Sequence, residues 1–167
     1  MIEMVVVLIL MTIIAATVLG RSITMSNLDL NQETDKIRNH LRFAQAEAMK
    51  LAYKDPSSVP VEDYLVWGIS FESGQYWLFR GKDPNIASEQ VRLPGVEYPV
   101  GSSKVSLPSG FSLTATKPTV FFDRIGKPYE SYTDEKINNP LIAEMQVTVS
   151  HGESRTIRIE PETGLVR

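Results

Sequence analysis

The sequence opens with an almost unbroken apolar run from Met4 to Gly20, in which only Thr12 and Thr17 are polar. As a helix the run spans roughly 26 Å at about 1.5 Å per residue, near the lower limit for crossing the hydrocarbon core of a bilayer. Its many β-branched residues favour a strand in water. In lipid, however, a helix satisfies every backbone N–H and C=O within the segment. We therefore predict a membrane helix.

Two other interpretations of this run remain open. A helix buried in a protein core needs a large protein around it, because all of its faces are apolar. A cleavable signal peptide has a basic region before the apolar run, whereas the one charge before Arg21 is the carboxylate of Glu3. The positive-inside rule, applied to Arg21 alone, places the following domain in the cytoplasm, and a basic leader upstream of Met1 would reverse that orientation.

The helix is predicted to continue beyond the apolar run. Glycine and proline, which most often end a helix, do not occur from Arg21 to Asp55. Apolar residues recur at steps of three and four and mark one stripe: Ile37, Leu41, Ala44, Ala48, Leu51 and Ala52. The opposite face is polar and carries Lys36, Arg38, Asn39, Arg42, Gln45, Glu47 and Lys50. This pattern predicts an amphipathic helix that packs one face on a globular body and ends at KDPSSVP.

From Tyr64 onward the helical rhythm gives way to short alternating runs. YLVWGISF and QYWLFR, separated by ESG, predict a hairpin. Five further runs predict strands: EQVRL, FSLTA, TVFFD, AEMQVTVS and RTIRIE. Turn signals separate them, among them RIGKP, INNP and HGES. The spacing predicts one antiparallel sheet or two small sheets, with the helix across one face.

These patterns together predict an α+β fold, in which a long N-terminal helix packs on an antiparallel β-sheet body. The helix has a membrane half and an amphipathic half. The predicted domains are a transmembrane or filament-core helix over residues 1–21, its amphipathic continuation over residues 22–54, and a globular β-rich domain over residues 55–167.

The sequence shows no constellation that indicates catalysis. It has no cysteine, and its two histidines, His40 on the polar helix face and His151 in a predicted turn, are interpreted as surface residues. Nucleophile elbows, phosphate-binding loops and metal-binding histidine pairs do not occur. Two acidic clusters lack calcium-loop spacing and are interpreted as solvated loops: Asp134, Glu135, Asn138 and Asn139, and Asp83, Asn85 and Glu89. We expect no enzyme activity, no metal and no cofactor.

A small basic patch near the end of the sequence is the one feature that suggests nucleic acid. Arg155, Arg158 and Arg167 compose it, within a chain whose formal net charge is -3. Arg155 and Arg158 are three apart in a predicted strand, so they face opposite sides of the sheet. Neighbouring glutamates dilute the patch further.

The order of several motifs resembles the type IV pilin superfamily. MIEMVVVLILMTIIAA resembles that superfamily's mature N-terminal signature entered at its third residue, with Glu3 on the characteristic glutamate. LRFAQAEAMKLA, WGISFESGQYWLF, VFFDRIGKP and IRIEPETGLV resemble minor pseudopilins of the GspH/FimT type. The resemblance implies a pilin-like fold and a structural subunit at or near the tip of a type II secretion pseudopilus or a type IV pilus.

The resemblance also gives Glu3 a role. A lone carboxylate within a membrane costs about 2.5–3.5 kcal/mol at the bilayer centre and needs a partner. The resemblance implies that Glu3 meets the amino terminus of a neighbouring subunit during filament assembly. The implied partners are other major and minor pseudopilins or pilins, and a prepilin peptidase that cleaves a full-length precursor and methylates the new N-terminus. The leader and about two mature residues are expected to precede Met1.

The implied location is the inner membrane, with a single pass and the C-terminal domain in the periplasm, and then the assembled pseudopilus or pilus. An alternative within the same resemblance is a FimT-like minor pilin that binds DNA for uptake in natural transformation. That alternative assigns DNA binding to Arg155, Arg158 and Arg167.

Overall fold

The computed structural model describes residues 2–50, 66–93, 96–132 and 138–167, and within the helix it describes the side chains of residues 4–15 and 27–50. In these ranges the chain forms one helix, α1 (Ile2–Lys50), and ten strands. The strands are β1 (Trp67–Glu72), β2 (Gln75–Arg80), β3 (Gln90–Val91), β4 (Val105–Ser106), β5 (Ser112–Ala115), β6 (Thr119–Phe122), β7 (Pro128–Tyr132), β8 (Asn138–Pro140), β9 (Met145–His151) and β10 (Glu153–Ile159).

The strands form two sheets, and every pairing among the described residues is antiparallel. The larger sheet has the order β3-β2-β1-β6-β7-β8, with β4 also paired to β2. The smaller sheet has the order β10-β9-β5. Two small sheets were one of the two arrangements that the sequence predicted.

One face of α1 packs on both sheets, against β1 and β6 of the larger and β9 and β10 of the smaller. The buried residues of that face recur at steps of three and four, which return to the same side of a helix of 3.6 residues per turn. They are Leu30, Thr34, Ile37, Leu41, Ala44 and Ala48. The predicted apolar stripe is therefore confirmed up to Ala48, while Leu51 and Ala52 lie outside the described residues.

The hairpin predicted around ESG is confirmed. β1 and β2 pair from Trp67 with Arg80 to Glu72 with Gln75, and Gly74 in the turn has a φ of 73°. This left-handed conformation favours glycine, because a side chain there would clash with its own backbone. Each of the five further runs that predicted strands overlaps a strand of the structure, and these strands are β3, β5, β6, β9 and β10.

Three strands were not predicted, namely β4, β7 and β8. The prediction of a turn at INNP is wrong, because Asn138–Pro140 forms β8 at an edge of the larger sheet. Proline cannot donate a hydrogen bond to a sheet ladder, so it is tolerated at such an edge. β8 therefore owes its strand conformation to pairing with β7 rather than to local preference.

A second, smaller apolar cluster lies on the opposite side of the larger sheet from α1. It consists of Val66, Phe79 and Phe121, with the rings of Phe79 and Phe121 edge to face at 5.2 Å. Gly68 allows this packing, since a Cβ there would lie 2.4 Å from Cζ of Phe79. Apolar side chains are consequently buried on both faces of the larger sheet where β1 pairs with β2 and β6.

The final residues of the sequence pair with the outer edge of β10. The N–H of Arg158 donates to the carbonyl of Arg167 at 3.0 Å, and the N–H of Arg167 donates to the carbonyl of Arg158 at 2.9 Å. Ile159 and Val166 form the adjacent antiparallel bridge. Part of this sheet edge is thus closed by the chain itself.

The predicted pilin-like fold, with a long helix whose first half is a membrane segment, is wrong for the residues that the structure describes. The continuous run of exposed apolar side chains that the structure describes in α1 covers residues 4–15, and 12 helical residues extend roughly 18 Å, compared with about 30 Å for a bilayer core. Residues 27–50 are amphipathic and pack on the body. The described molecule therefore has two helical parts of different character and a mostly antiparallel body.

The predicted location, a single pass through the inner membrane with the C-terminal domain in the periplasm, is contradicted as well. Among the described residues, no helix combines the length and the apolar character that a bilayer crossing requires.

Candidate assembly surface

Residues 4–15 of α1, which we name the apolar stretch, form the largest exposed apolar surface in the described part of the chain. Each of its large apolar side chains, from Met4 to Ile14, is between 49% and 76% exposed. Its one polar side chain, Thr12, donates its hydroxyl hydrogen to the carbonyl of Ile9 at 2.8 Å. A contiguous apolar surface of this kind marks a site that another apolar surface covers in the functional state.

Residues 27–50, which we name the docked part, are held on the body by hydrogen bonds as well as by apolar packing. Near its start, Nε of Arg155 donates to Oδ1 of Asn31 at 3.2 Å. Further along, Nη2 of Arg42 donates to the carbonyl of Val166 at 3.0 Å. These bonds tie exposed positions of the helix to β10 and to the residues that follow it. The direction in which α1 leaves the body is therefore fixed.

Gln45 adds a second attachment near the end of the helix. Its Nε2 donates to the carbonyl of Gly126 at 2.9 Å and to that of Thr163 at 3.3 Å. Both carbonyls lie in turns, where backbone acceptors lack a ladder partner. Arg42 and Gln45 were predicted to lie on the polar face, and the sequence shows no sign of these contacts, because their acceptors are backbone atoms far away in the sequence.

The interpretation of His40 as a surface residue is wrong. The ring is half-buried, and its Nδ1 lies 2.8 Å from the hydroxyl oxygen of Tyr76 on β2. Burial, and then the charge of Lys36, lowers the pKa of His40 to about 4. A signal for this position was present in the sequence, since His40 lies three residues after Ile37 and thus borders the buried stripe.

His151 lies where β9 turns into β10, in agreement with the predicted hairpin turn. Its ring stacks on Phe111 with a centroid separation of 4.3 Å, and Nδ1 lies 3.1 Å from the carbonyl oxygen of Gly110. These contacts join the tip of the hairpin to the start of β5, which is a structural role.

Each of the three arginines proposed for DNA binding lies beside a carboxylate. The charged atoms of Arg155 and Glu153 are 3.5 Å apart, those of Arg158 and Glu144 3.7 Å, and those of Arg167 and Glu160 3.6 Å. Arg155 shares the face of β10 that carries Ile157 and Ile159, whereas Arg158 lies on the exposed face. Arg158 and Arg167 are cross-strand neighbours, whereas Arg155 lies on the other face, so the three do not form one basic surface. DNA binding stays a prediction.

The acidic cluster at Asp83 and Glu89 stabilises a loop. Oδ1 of Asp83 accepts a hydrogen bond from the N–H of Asn85 at 2.8 Å, and Oε2 of Glu89 accepts one from the N–H of Asp83 at 3.0 Å. Asp134 and Glu135 of the other cluster lie outside the described residues. Over the described ranges, no group of three or more metal-ligating side chains is close enough to hold an ion.

An open groove lies between the two sheets. Its volume is about 310 Å³, and Phe71, Leu113, Ala115 and Pro118 form much of its wall. Its polar lining residues are Glu72, Ser73 and Thr114, and the Glu72 carboxylate pairs with Lys104 at 3.0 Å.

Comparison with known proteins adds no relative. A scan against models of protein families, a search of curated proteins and a search of solved structures each found no match to this chain. The side chain of Glu3 lies outside the described part, so its assembly role stays a prediction. The apolar stretch is consequently the feature on which a functional proposal has to rest.

Proposed function

We propose that this chain is a structural subunit, without catalytic activity, that assembles with other subunits through the apolar stretch. The subunit class we propose is the minor pseudopilin or minor pilin of the type IV pilin superfamily. The observation that supports an assembly role is the exposure of every described side chain from Met4 to Ala15. The motif order around Glu3 and in the body supports the class. The proposal relies on neither a pilin-like fold nor a membrane segment.

In the proposed mechanism, the apolar stretch packs on other subunits while the body holds the docked part of the helix. Burial of apolar surface contributes about 25 cal/mol per Å², so covering one side of the apolar stretch stabilises an assembly substantially. The body contributes by holding the docked part, because a helix with a fixed exit direction loses less freedom when a neighbour packs on it. An isolated carboxylate in such an interface is costly unless paired, and the proposed partner of Glu3 is the amino terminus of a neighbouring subunit.

The proposal is tested by photo-crosslinking within living cells of the native host. A photoreactive residue at Leu8, which is 62% exposed, samples the apolar stretch, and the same residue at Gln32, exposed in the docked part, is the matched control. We expect Leu8 to crosslink to small subunits that carry an apolar N-terminal helix of their own, and Gln32 to give far less of this product. Equal yields at both positions, or no protein adduct at Leu8, would contradict the proposal.

A second arm of the experiment separates apolar packing from charge pairing. We expect Glu3→Ala to accumulate normally but to lose the Leu8 crosslink, while Glu153→Ala, which removes an exposed carboxylate from the body, retains it. If Glu3→Ala retains the crosslink as well, the apolar packing stands and the role assigned to Glu3 is wrong.

A further inference from the structure

The contact between His40 and Tyr76 joins the docked part of α1 to strand β2 of the larger sheet. Tyr76 is fully buried on β2, and the two ring centroids are 5.7 Å apart. Nδ1 of His40 lies 2.8 Å from the tyrosine hydroxyl. Within the part of the chain that the structure describes, this is the only hydrogen bond of that hydroxyl. The proposed assembly mechanism does not use this pair.

The burial of Tyr76 determines where the shared proton lies. Because the hydroxyl has no other described acceptor, it is satisfied by donating its hydrogen to an unprotonated Nδ1. This arrangement requires a neutral imidazole with its own hydrogen on Nε2. If Nδ1 also gained a proton, the hydroxyl would have to turn and accept, and its hydrogen would be left buried without a partner.

The charged and titratable groups around the pair do not favour a positive ring. On the helix, Lys36 precedes His40 by one turn, and its charge opposes a second positive charge there. Glu33 also faces the pair, but its carboxylate lies 3.5 Å from Nζ of Lys36. From the loop after β3, Tyr98 contributes a phenol whose oxygen accepts the N–H of Leu93, and Arg92 lies over its ring.

We propose that the His40–Tyr76 pair is a pH-sensitive latch, in which the neutral ring strengthens the attachment of α1 to β2 and acidification weakens that attachment. This inference concerns the attachment of the helix to its own body and is independent of which partner the apolar stretch binds. It gives the chain a means of loosening its helix without any change in the assembly surface.

The direction of the effect follows from the two states of His40. The pKa is about 4 in the folded protein, where burial disfavours the charge, compared with 6.5 for an ordinary histidine. Between these values the unfolded chain binds more protons, so the folded state is favoured fully above pH 6.5 and loses stability as the pH falls towards 4. After allowance for the half-exposed ring, we expect the folding equilibrium constant to fall about tenfold from pH 6.5 to 4.5 through this group.

The first test is a nuclear magnetic resonance titration of the full chain in detergent micelles, with ¹⁵N-labelled histidine. We expect the neutral His40 ring to carry its hydrogen on Nε2 and to stay neutral below pH 5. In the same samples, amide hydrogen exchange around Leu41 and Ala44 should rise, relative to intrinsic rates, as His40 is protonated. A His40 that titrates near 6.5, or exchange that does not change with its protonation, overturns the latch.

The second test uses variants and urea unfolding at pH 6.5 and 4.5. In His40→Asn the amide oxygen can accept the Tyr76 hydrogen but cannot titrate. Between pH 6.5 and 4.5, the folding equilibrium constant of this variant should therefore fall by a factor about ten times smaller than that of the wild type. His151→Asn is the matched control and should behave as the wild type. If His40→Asn keeps the wild-type pH dependence, the latch is wrong. If that variant does not fold, the titration of the wild-type ring decides.

Discussion

The two described parts of helix α1 differ in burial, and the difference is the opposite of what their hydrophobicity alone predicts. Residues 4–15 are almost entirely apolar, and all of their side chains are exposed. Residues 27–50 carry many charges, yet Ile37, Leu41 and Ala44 are completely buried. Burial in this molecule therefore follows the pattern of apolar residues rather than their number. One apolar residue per turn matches the single face that the body offers.

Apolar side chains have different energetic effects in the two parts of α1. In the docked part, a fully buried leucine or isoleucine contributes about 1.5–3 kcal/mol to the stability of the fold. The same side chains in the apolar stretch contribute almost nothing to the isolated chain, because they do not leave the solvent. Their free energy becomes available only when another surface covers them. Substitutions in the two parts should therefore be detected by different measurements.

The largest expected difference comes from truncating one leucine in each part. Leu41→Ala removes a side chain that is 0% exposed and should lower the free energy of unfolding by about 2–5 kcal/mol, since it leaves a cavity under the helix. Leu8→Ala, at a position 62% exposed, should change it by less than about 0.5 kcal/mol. Urea unfolding in detergent measures both. Similar losses for the two variants would show that the apolar stretch is also part of the folded core.

A smaller difference is expected for two glutamines of the docked part. Gln45→Ala removes the hydrogen bonds to Gly126 and Thr163 and leaves carbonyls without a donor, which should cost about 1–2 kcal/mol of unfolding free energy. Gln32→Ala makes the same chemical change at an exposed position and should be close to neutral. The same unfolding experiment applies. A neutral Gln45→Ala would mean that apolar packing alone holds the helix.

The smallest effect is expected on the outer face of the docked part. Asp35 pairs with Arg38 one turn further along, and the Asp35 side chain is 60% exposed. Asp35→Ala should therefore lower the unfolding free energy by only about 0.3–0.5 kcal/mol, and 0.5 M NaCl should remove most of the difference. A larger, salt-independent loss would show that this face, too, has a partner in the folded chain.

Local patterns made part of this fold predictable. The stripe from Ile37 to Ala48 and the β1–β2 hairpin each depend on residues close together in the sequence, and both are present. β4 and β8 depend on distant partners instead, and their two or three residues carry too weak a pattern to indicate a strand. The predicted membrane half was wrong for a different reason. The length of an apolar run does not determine which of its side chains are buried in the folded chain.

The sequence indicated where the candidate site lies along the chain, but it did not indicate the contacts of the site residues. The sequence singled out the region around Glu3 and the apolar residues that follow, and exposure of the apolar stretch is consistent with a role in contacts with other molecules. The sequence could not show that Arg158 lies beside Glu144, because that glutamate precedes β9 and is distant along the chain. Nor could it show that His40 faces Tyr76, since the two are 36 residues apart.

The pairing of Arg167 with Arg158 has a consequence for solubility. An open strand edge is a template on which another chain can add a strand, and unlimited addition leads to amyloid-like aggregates. The final residues occupy part of the β10 edge and so remove some of its free donors and acceptors. A protein that exposes a large apolar helix surface already has one route to self-association. Closing part of this edge restricts aggregation by a second route.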